Sequence, residues 1–344
     1  MGTRFEVLIP YPEEEPELHV RACAEAVLDE IALLDRQLSL FRKDSYLAHI
    51  NRNAFVGPVR VDPQLFELIA TCRAVGLASR GAFDITVGPL MRCWGFHALQ
   101  EDSADSPANA IHPAQDELAR AATVVGGHLL RLDRDARTVM FEREGMRLDL
   151  GGVAKGYALD RALDLLVEEG VSNALLHGGT STVAGLGPGW KIGIRDPRGL
   201  VAQRPVCAPS MRLVASARLR NRTLSVSAPH GRERLVESTL VGHLVDPASG
   251  TPAKEILLAA VIARSATLAD AWSTALVVAG VDRSRELIDA TKEIEAALLV
   301  TTTPEPSRSG CGVAGVVRLG PRPELFELVP AGAGSGGAGG PVPG

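Results

Sequence analysis

Near its middle the chain carries the stretch Leu148-Asp149-Leu150-Gly151-Gly152-Val153-Ala154-Lys155-Gly156-Tyr157. The pattern predicts a strand over Met146 to Leu150, a tight turn at the two glycines, and a helix from about Val153 to Glu169 that Gly170 ends. A helix start with free N–H groups and a nearby ammonium is typical of a phosphate site. The GxxxxGK[ST] spacing of an ATPase loop is absent, so an ordinary strand-to-helix turn is the alternative.

The helices outside this stretch have clear sequence signals. One is predicted where apolar residues recur every three or four positions, at Cys23, Val27, Ile31, Leu34 and Leu38. Asp62-Pro63 predicts another helix start, because the aspartate caps free N–H groups and the proline lacks one. A helical segment from Thr267 to Ala279 is expected to end at Gly280, with a second helix from about Asp282.

Strands are predicted at Thr138 to Phe141, Asn173 to Leu176, Ala296 to Val300 and Val316 to Leu319. Because strands and helices mix without regular βαβ alternation, we expect an α+β fold. Residues 1–330 are expected to form a single domain with two lobes. Residues 331–344 are almost wholly Gly, Ala, Pro, Ser and Val, which predicts a disordered tail.

Composition excludes several classes of protein. Of 344 residues, 46% are hydrophobic and 22% are charged, which is enough apolar material for a sizeable core. The net charge of -5, without a basic stripe, argues against binding to nucleic acid or anionic membranes. The five cysteines are scattered without CxxC spacing, which favours buried thiols in a reducing compartment over a zinc site or disulfides.

No apolar run reaches the roughly 18 residues that a membrane span requires. The opening Met1-Gly2-Thr3-Arg4 has no signal sequence, so the chain as written is expected to be cytoplasmic. An exported form whose leader has been removed is the alternative.

A candidate metal site lies in Asp270-Ala271-Trp272-Ser273-Thr274. On a helix, Asp270 and Thr274 share a face, and a carboxylate with a hydroxyl and nearby carbonyls suits Mg²⁺. The alternative is a buried helix in which Thr274 bonds to its own backbone and Asp270 forms a local salt bridge.

Three further segments have polar groups at turns. His243 precedes Asp246-Pro247 and Gly250 and is predicted on a strand, where a lone histidine is more often structural than catalytic. The segment Ala82 to Leu90, with Trp94 close behind, suits either a site or a capped loop with an aromatic anchor. His177 to Ser181 suits an anion-binding nest or a tight turn.

In this order and spacing, the motifs resemble the FAD:protein FMN transferase (ApbE) family. The resemblance covers nearly the whole chain apart from the tail. It rests on Met1 to Thr3, Leu38 to Ser45, Asn51, Ala82 to Leu90, Leu148 to Asp160, Gly178-Gly179, Gly193 to Pro197, His243 to Pro252 and Ala269 to Thr274.

The resemblance implies an α+β fold with FAD in a cleft between two lobes, and an enzyme that moves FMN from FAD onto a Thr or Ser hydroxyl of an acceptor protein, releasing AMP. It implies a FAD site made of Met1, Phe41, Ala82, Phe83, Asp84, Asp149, Lys155 and Leu244. It also implies a Mg²⁺ site with the side chains of Asp270 and Thr274 and backbone oxygens of Gly152 and Ser273.

Lys155 would bridge the pyrophosphate, and His243 is the candidate base or phosphate contact, with Asp270 as its rival. The sequence departs from the family at Thr180-Ser181, at Ala228-Pro229 and at Phe41, where a tyrosine is common. The first two departures bear on the acceptor side. Hydrolysis of FAD to FMN and AMP, or FAD binding without turnover, are therefore the alternative functions.

Overall fold

The computed structural model of the protein describes residues 2–10, 17–97, 112–198, 212–231, 233–237, 239–302 and 315–329. Met1 and the predicted tail at 331–344 lie outside the described residues. Among the described helices, none is long and apolar enough to cross a membrane.

The helices are α1 (Glu17–Leu38), α2 (Tyr46–Asn53), α3 (Pro63–Ala78), α4 (Gly88–Cys93), α5 (Gln115–Ala122), α6 (Ala154–Glu168) and α7 (Ala266–Ala290). The first eight strands are β1 (Phe5–Leu8), β2 (Val59–Arg60), β3 (Leu130–Asp133), β4 (Thr138–Phe141), β5 (Ala174–Gly178), β6 (Thr182–Leu186), β7 (Trp190–Arg195) and β8 (Leu213–Leu219). The remaining strands are β9 (Arg222–Ser227), β10 (Glu233–Val236), β11 (Thr239–Gly242), β12 (Ile256–Ala263), β13 (Ile294–Thr301), β14 (Val316–Leu319) and β15 (Phe326–Leu328).

The main sheet has seven strands in the order β1-β5-β6-β9-β12-β13-β14, and all its pairs are antiparallel. Smaller sheets have the orders β15-β8-β7, β2-β4-β3 and β10-β11. Antiparallel pairing beside separate helices confirms the predicted α+β class.

The centre of the main sheet is buried on both faces. Along β12, Ala259 and Val261 pack into the core under the helices, whereas Ala260 and Ile262 pack into a second core with β8 and Phe326. A strand buried on both faces reads as a continuous apolar run, which matches Ile256–Ala263.

Two predicted helices form as their sequence signals indicate. The apolar stripe of α1 is buried from Cys23 to Leu38. Helix α3 begins where Asp62 accepts a 2.9 Å hydrogen bond from the backbone N–H of Leu65. That bond is the predicted side-chain cap.

Helix α7 is interrupted at Gly280, whose φ of 74° is outside the helical range. Glu255 accepts a 3.0 Å hydrogen bond from the backbone N–H of Val281, which satisfies a donor that the interruption frees. The predicted break between two helices at this glycine is therefore confirmed.

The predicted strand over Met146 to Leu150 is wrong. Only Arg147 makes an isolated bridge, to Val87, and β4 pairs with β2 and β3 instead. The backbone of Leu148 bonds to the side chain of Asn51 and not to a neighbouring strand. The Asn51 side chain accepts a 2.7 Å hydrogen bond from the N–H of Leu148 and donates a 3.0 Å bond to the carbonyl of the same residue.

Candidate active site

The Asp270 carboxylate lies in the first turns of α7 and is 2% exposed. Its Oδ2 atom accepts a 3.3 Å bond from Lys155 Nζ and a 3.1 Å bond from the backbone N–H of Gly156. Its Oδ1 atom accepts from the hydroxyls of Ser225 at 3.0 Å and Thr182 at 3.4 Å. A buried carboxylate needs such donors, so α6, β6 and β9 together hold this charge in place.

Helix α6 reaches Asp270 because Gly156 lets it approach α7 closely. A Cβ atom at Gly156 would lie 2.2 Å from the carbonyl oxygen of Ala266 and 2.9 Å from the Cβ of Asp270. The glycine therefore fixes the crossing of the two helices that brings Lys155 to the carboxylate.

Asp160, one turn further along α6, caps the start of α7. Its carboxylate accepts from the N–H and hydroxyl of Thr267 at 2.9 and 2.6 Å, from the Ser265 hydroxyl at 2.7 Å and from the N–H of Ala266 at 2.6 Å. A carboxylate at a helix start satisfies free donors and opposes the positive end of the helix dipole. These bonds fix the position of the first turn of α7, and hence of Asp270, relative to α6.

Further hydroxyl groups meet where α7 packs against β9. Ser227 Oγ lies 2.8 Å from Ser273 Oγ and 3.2 Å from Thr274 Oγ1. Ser273 donates a 2.9 Å bond back to the carbonyl of Asp270, whereas the Thr274 hydroxyl meets β9. The alternative to a metal site was a bond from Thr274 to its own helix backbone. Ser273 makes a bond of that kind, whereas the Thr274 hydroxyl pairs with Ser227.

Gly152 joins the same group of residues. A Cβ atom placed on it would lie 3.4 Å from Thr274 Oγ1 and 3.4 Å from Phe83 Cε2. The structure therefore brings together Gly152, Lys155, Asp270, Ser273 and Thr274, as the sequence predicts. Of these, Gly152, Asp270, Ser273 and Thr274 offer backbone or side-chain oxygens, the ligand type that Mg²⁺ prefers.

Asp149 forms a hydrogen-bonded pair with His97 that the sequence did not predict. Its Oδ2 atom lies 2.9 Å from His97 Nε2, and its Oδ1 atom accepts a 2.7 Å bond from the N–H of Gly151. Burial favours the neutral acid, but the hydrogen bond and charge of His97 and the Gly151 N–H outweigh it, so the pKa of Asp149 lies below its ordinary value. Phe41, 37% exposed, contacts the His97 ring edge-on, with centroids 6.3 Å apart.

The predicted flavin contacts at Ala82, Phe83 and Leu244 lie in the same hydrophobic core and are buried. Asp84 is different. Its Oδ1 atom accepts 2.8 and 2.7 Å bonds from the N–H and hydroxyl of Thr86, and its Oδ2 atom accepts a 2.8 Å bond from the N–H of Gly127. Asp84 thus orders its own loop through Oδ1 and ties that loop to Gly127 through Oδ2.

His243 lies in a bend just after β11, so its predicted place on a strand is wrong. Its ring contacts Phe96 edge-on, with centroids 6.4 Å apart. The following turn is tied to the aromatic segment by a 2.8 Å hydrogen bond from Trp94 Nε1 to the carbonyl of Gly250, so Trp94 is the anchor suggested by the sequence.

The hydroxyls of Thr182, Ser225 and Ser227 were not among the predicted site residues. Ser225 and Ser227 are two apart on β9 and therefore point to one face of the sheet, which is the signal that identifies them. The turn Gly179 to Ser181 joins the antiparallel strands β5 and β6, with Gly179 at a φ of 68°. That geometry is the tight turn named above as one of two alternatives.

Known proteins resemble this chain in both sequence and architecture. The model of the ApbE family matches residues 1–298. A FAD:protein FMN transferase of Klebsiella pneumoniae is 31% identical over 281 residues, covering 79% of this chain and 82% of the relative. A Treponema pallidum protein of the same name is 29% identical over 325 residues, covering 89% and 84%.

Two solved structures extend this agreement to the fold. The ApbE protein of Thermotoga maritima superposes with a TM-score of 0.72 at 28% identity, covering 87% of this chain and 94% of that one. The apo flavinyl transferase ApbE of Pseudomonas stutzeri gives 0.74 at 25% identity, covering 95% and 94%. Similarity of sequence over most of its length, together with this shared architecture, places the chain in the ApbE family.

Proposed function

We propose that the protein transfers FMN from FAD to a Thr or Ser hydroxyl of an acceptor protein. The acceptor oxygen forms a bond to the phosphorus on the riboflavin side of the pyrophosphate. The bond from that phosphorus to the bridging oxygen breaks, AMP leaves with the bridging oxygen, and the hydroxyl proton passes to a base. One phosphoester replaces one phosphoanhydride bond, so the reaction needs no other reactant.

The observation that carries the proposal is the buried Asp270 carboxylate, which lies 3.3 Å from the Lys155 ammonium and accepts hydrogen bonds from the hydroxyls of Ser225 and Thr182. Phosphoryl transfer depends mainly on positioning and on stabilising charge on the phosphate oxygens. Simple flavin storage has little need of such a group at the pyrophosphate. Family membership supports the same reading.

Mg²⁺ would be held by the side chains of Asp270 and Thr274 with backbone oxygens of Gly152 and Ser273. When bound, it supplies positive charge to the pyrophosphate oxygens. The oxygen-only chemistry of these donors, and their clustering around one buried carboxylate, fit the ion.

The protein's own groups have separable tasks in this proposal. Lys155, whose side chain is 20% exposed, neutralises the pyrophosphate at the start of α6. Phe41, Ala82, Phe83 and Leu244 supply apolar contacts to the flavin, and Asp149 a polar one. His243, anchored beside Phe96, is the proposed proton acceptor, with Asp270 as the rival group.

The test uses purified protein incubated with FAD, Mg²⁺ and a lysate of its source. A denaturing gel is imaged for flavin fluorescence, and free FMN and AMP are measured in the same sample. A fluorescent acceptor band together with stoichiometric AMP is the expected result. Free FMN and AMP without a band would instead identify a pyrophosphatase, and bound, unchanged FAD would identify a flavin-binding protein.

Two variants make the assignment of residues sharper. Lys155→Ala should lose most of the acceptor labelling, because the pyrophosphate loses its ammonium partner. Lys191→Ala removes a lysine whose side chain is 64% exposed and paired with Glu327, so it serves as the matched control. Equal labelling by both variants would contradict the role given to Lys155.

A further inference from the structure

A second group of metal-ligating side chains lies away from Asp270, where the start of α1 meets the end of α6. It consists of His19, Cys23 and Glu169, whose ligand atoms all lie within 4.8 Å of one another. Cys23 is 3% exposed, whereas His19 and Glu169 reach solvent. The group therefore has one buried soft donor and two donors open to an arriving ion.

The spacing of the three donors suits tetrahedral coordination. Cys23 Sγ lies 3.8 Å from His19 Nε2 and 3.9 Å from His19 Nδ1. Zinc bonds of about 2.3 Å to sulfur and 2.0–2.1 Å to nitrogen place the two ligand atoms roughly 3.5 Å apart, so a small rotation of an exposed imidazole closes the difference. His19 and Cys23 are one helical turn apart, which puts both on one face of α1.

The electrostatics at the end of α6 favour a cation at this place. Helix α6 has no basic residue in its last turn, and Glu168 and Glu169 add negative charge where the helix dipole is already negative. A bound divalent ion would oppose the negative charge at the end of α6.

We propose that His19, Cys23 and Glu169 form a zinc site, with water as the fourth ligand. The thiol of Cys23 loses its proton to solvent as the zinc–sulfur bond forms, and no electron is transferred. The thiolate and imidazole distinguish this site from the oxygen-only donors near Asp270, so the two sites select different ions.

The site would clamp the first turns of α1 to the end of α6. The two helices already contact along their length, with Arg161 of α6 3.6 Å from Glu30 of α1. Sequence spacing did not reveal the site, because the third ligand comes from a different helix. Zinc is therefore expected to raise the melting temperature without being required for FMN transfer.

The experiment uses the full chain, stripped with a chelator and then kept in excess Mg²⁺ so that oxygen sites are filled. Co²⁺ is titrated as the probe, because a cobalt–thiolate bond gives a near-ultraviolet charge-transfer band. One Co²⁺ per chain, displaced by Zn²⁺, is expected. Cys23→Ser should lose the band, and His19→Ala should weaken Co²⁺ binding at least about tenfold.

Matched controls separate this site from other donors. Cys93→Ser, at a half-buried cysteine, should keep the band, and Glu168→Gln should bind as the wild type does while Glu169→Gln binds more weakly. If Cys23→Ser fails to fold, His19→Ala decides the matter, since its side chain is exposed. A wild type without the thiolate band, or a band that survives both His19→Ala and Cys23→Ser, overturns the proposal.

Discussion

The backbone N–H of Gly156 donates a 3.1 Å hydrogen bond to Oδ2 of Asp270, although 114 residues separate the two. The bond is possible because Gly156 has no Cβ atom, so α6 and α7 cross closely. The same crossing brings the Lys155 ammonium to the carboxylate. The packing of α6 against α7 therefore sets the positions of the charged groups in the site, so a change in that packing moves the charges.

Gly156→Ala should destabilise the fold and reduce FMN transfer. The new Cβ would lie 2.2 Å from a backbone oxygen, which cannot rotate away, so the helices must separate. Overpacking of this kind costs about 1–3 kcal/mol, measurable by urea unfolding. Gly57→Ala is the control, since a Cβ there meets nothing within 4 Å, and equal stability of the two variants would contradict the packing argument.

Asp160→Asn should weaken the start of α7. The carboxylate accepts four hydrogen bonds from residues 265–267, and an amide offers one acceptor oxygen in place of two. We expect a loss of about 1–2 kcal/mol in the free energy of unfolding. Asp164→Asn changes a carboxylate that is 63% exposed on the same helix, and it should be nearly neutral. A similar loss in both variants would argue against the cap.

Asp270→Ala should abolish Mg²⁺-dependent turnover while FAD binding weakens less, because flavin contacts lie on other elements. Turnover is followed by AMP release, and FAD binding by quenching of flavin fluorescence. Asp289→Asn, an exposed residue further along the same helix, controls for general effects on α7. Unchanged turnover in Asp270→Ala would rule out the proposed metal ligand.

The pair of Asp149 and His97 should make stability depend on pH in the acid range. Because the folded pKa of Asp149 is lowered, its ionised form stabilises the fold above the ordinary carboxyl pKa of about 3.9, and that contribution is lost as pH falls through the folded value. Wild type should exceed Asp149→Asn by roughly 1.5–3 kcal/mol at neutral pH, and the difference should shrink toward zero in strong acid.

Urea unfolding at a series of pH values measures this difference. Asp116→Asn is the control, because that carboxylate is 69% exposed in a surface pair with Arg120 and is expected to contribute little. A difference between wild type and Asp149→Asn that stays constant down to strong acid would show that the His97 pair does not cause it.

Local chemistry explains which elements the sequence predicted correctly. The cap at Asp62, the stripe of α1 and the break at Gly280 depend on residues close together in the chain, and all three form as expected. The supposed strand over Met146 to Leu150 failed for the opposite reason. The backbone N–H and carbonyl of Leu148 bind the side chain of Asn51, which is 97 residues away, and no periodic pattern records such a partner.

The same distinction between nearby and distant partners applies to the residues of the candidate site. Asp270 and Thr274 are four apart on a helix, and their shared face follows from spacing alone. The hydroxyls of Ser225 and Thr182 reach Asp270 only because β6 and β9 are neighbours in the sheet, and His97 reaches Asp149 across a loop. Sheet order and loop paths are set by packing of the whole domain, so these partners emerged only with the structure.

The cap that Asp160 places on α7 has a consequence for how the molecule matures. Its partners are 105 to 107 residues downstream, and the partner of Lys155 is 115 residues downstream. During synthesis, the half of the candidate site that α6 supplies must therefore wait for α7 to leave the ribosome. Contacts between distant segments form slowly and late in folding. A chain released before α7 would retain Lys155 without Asp270, so truncation products should be catalytically silent however well their N-terminal helices form.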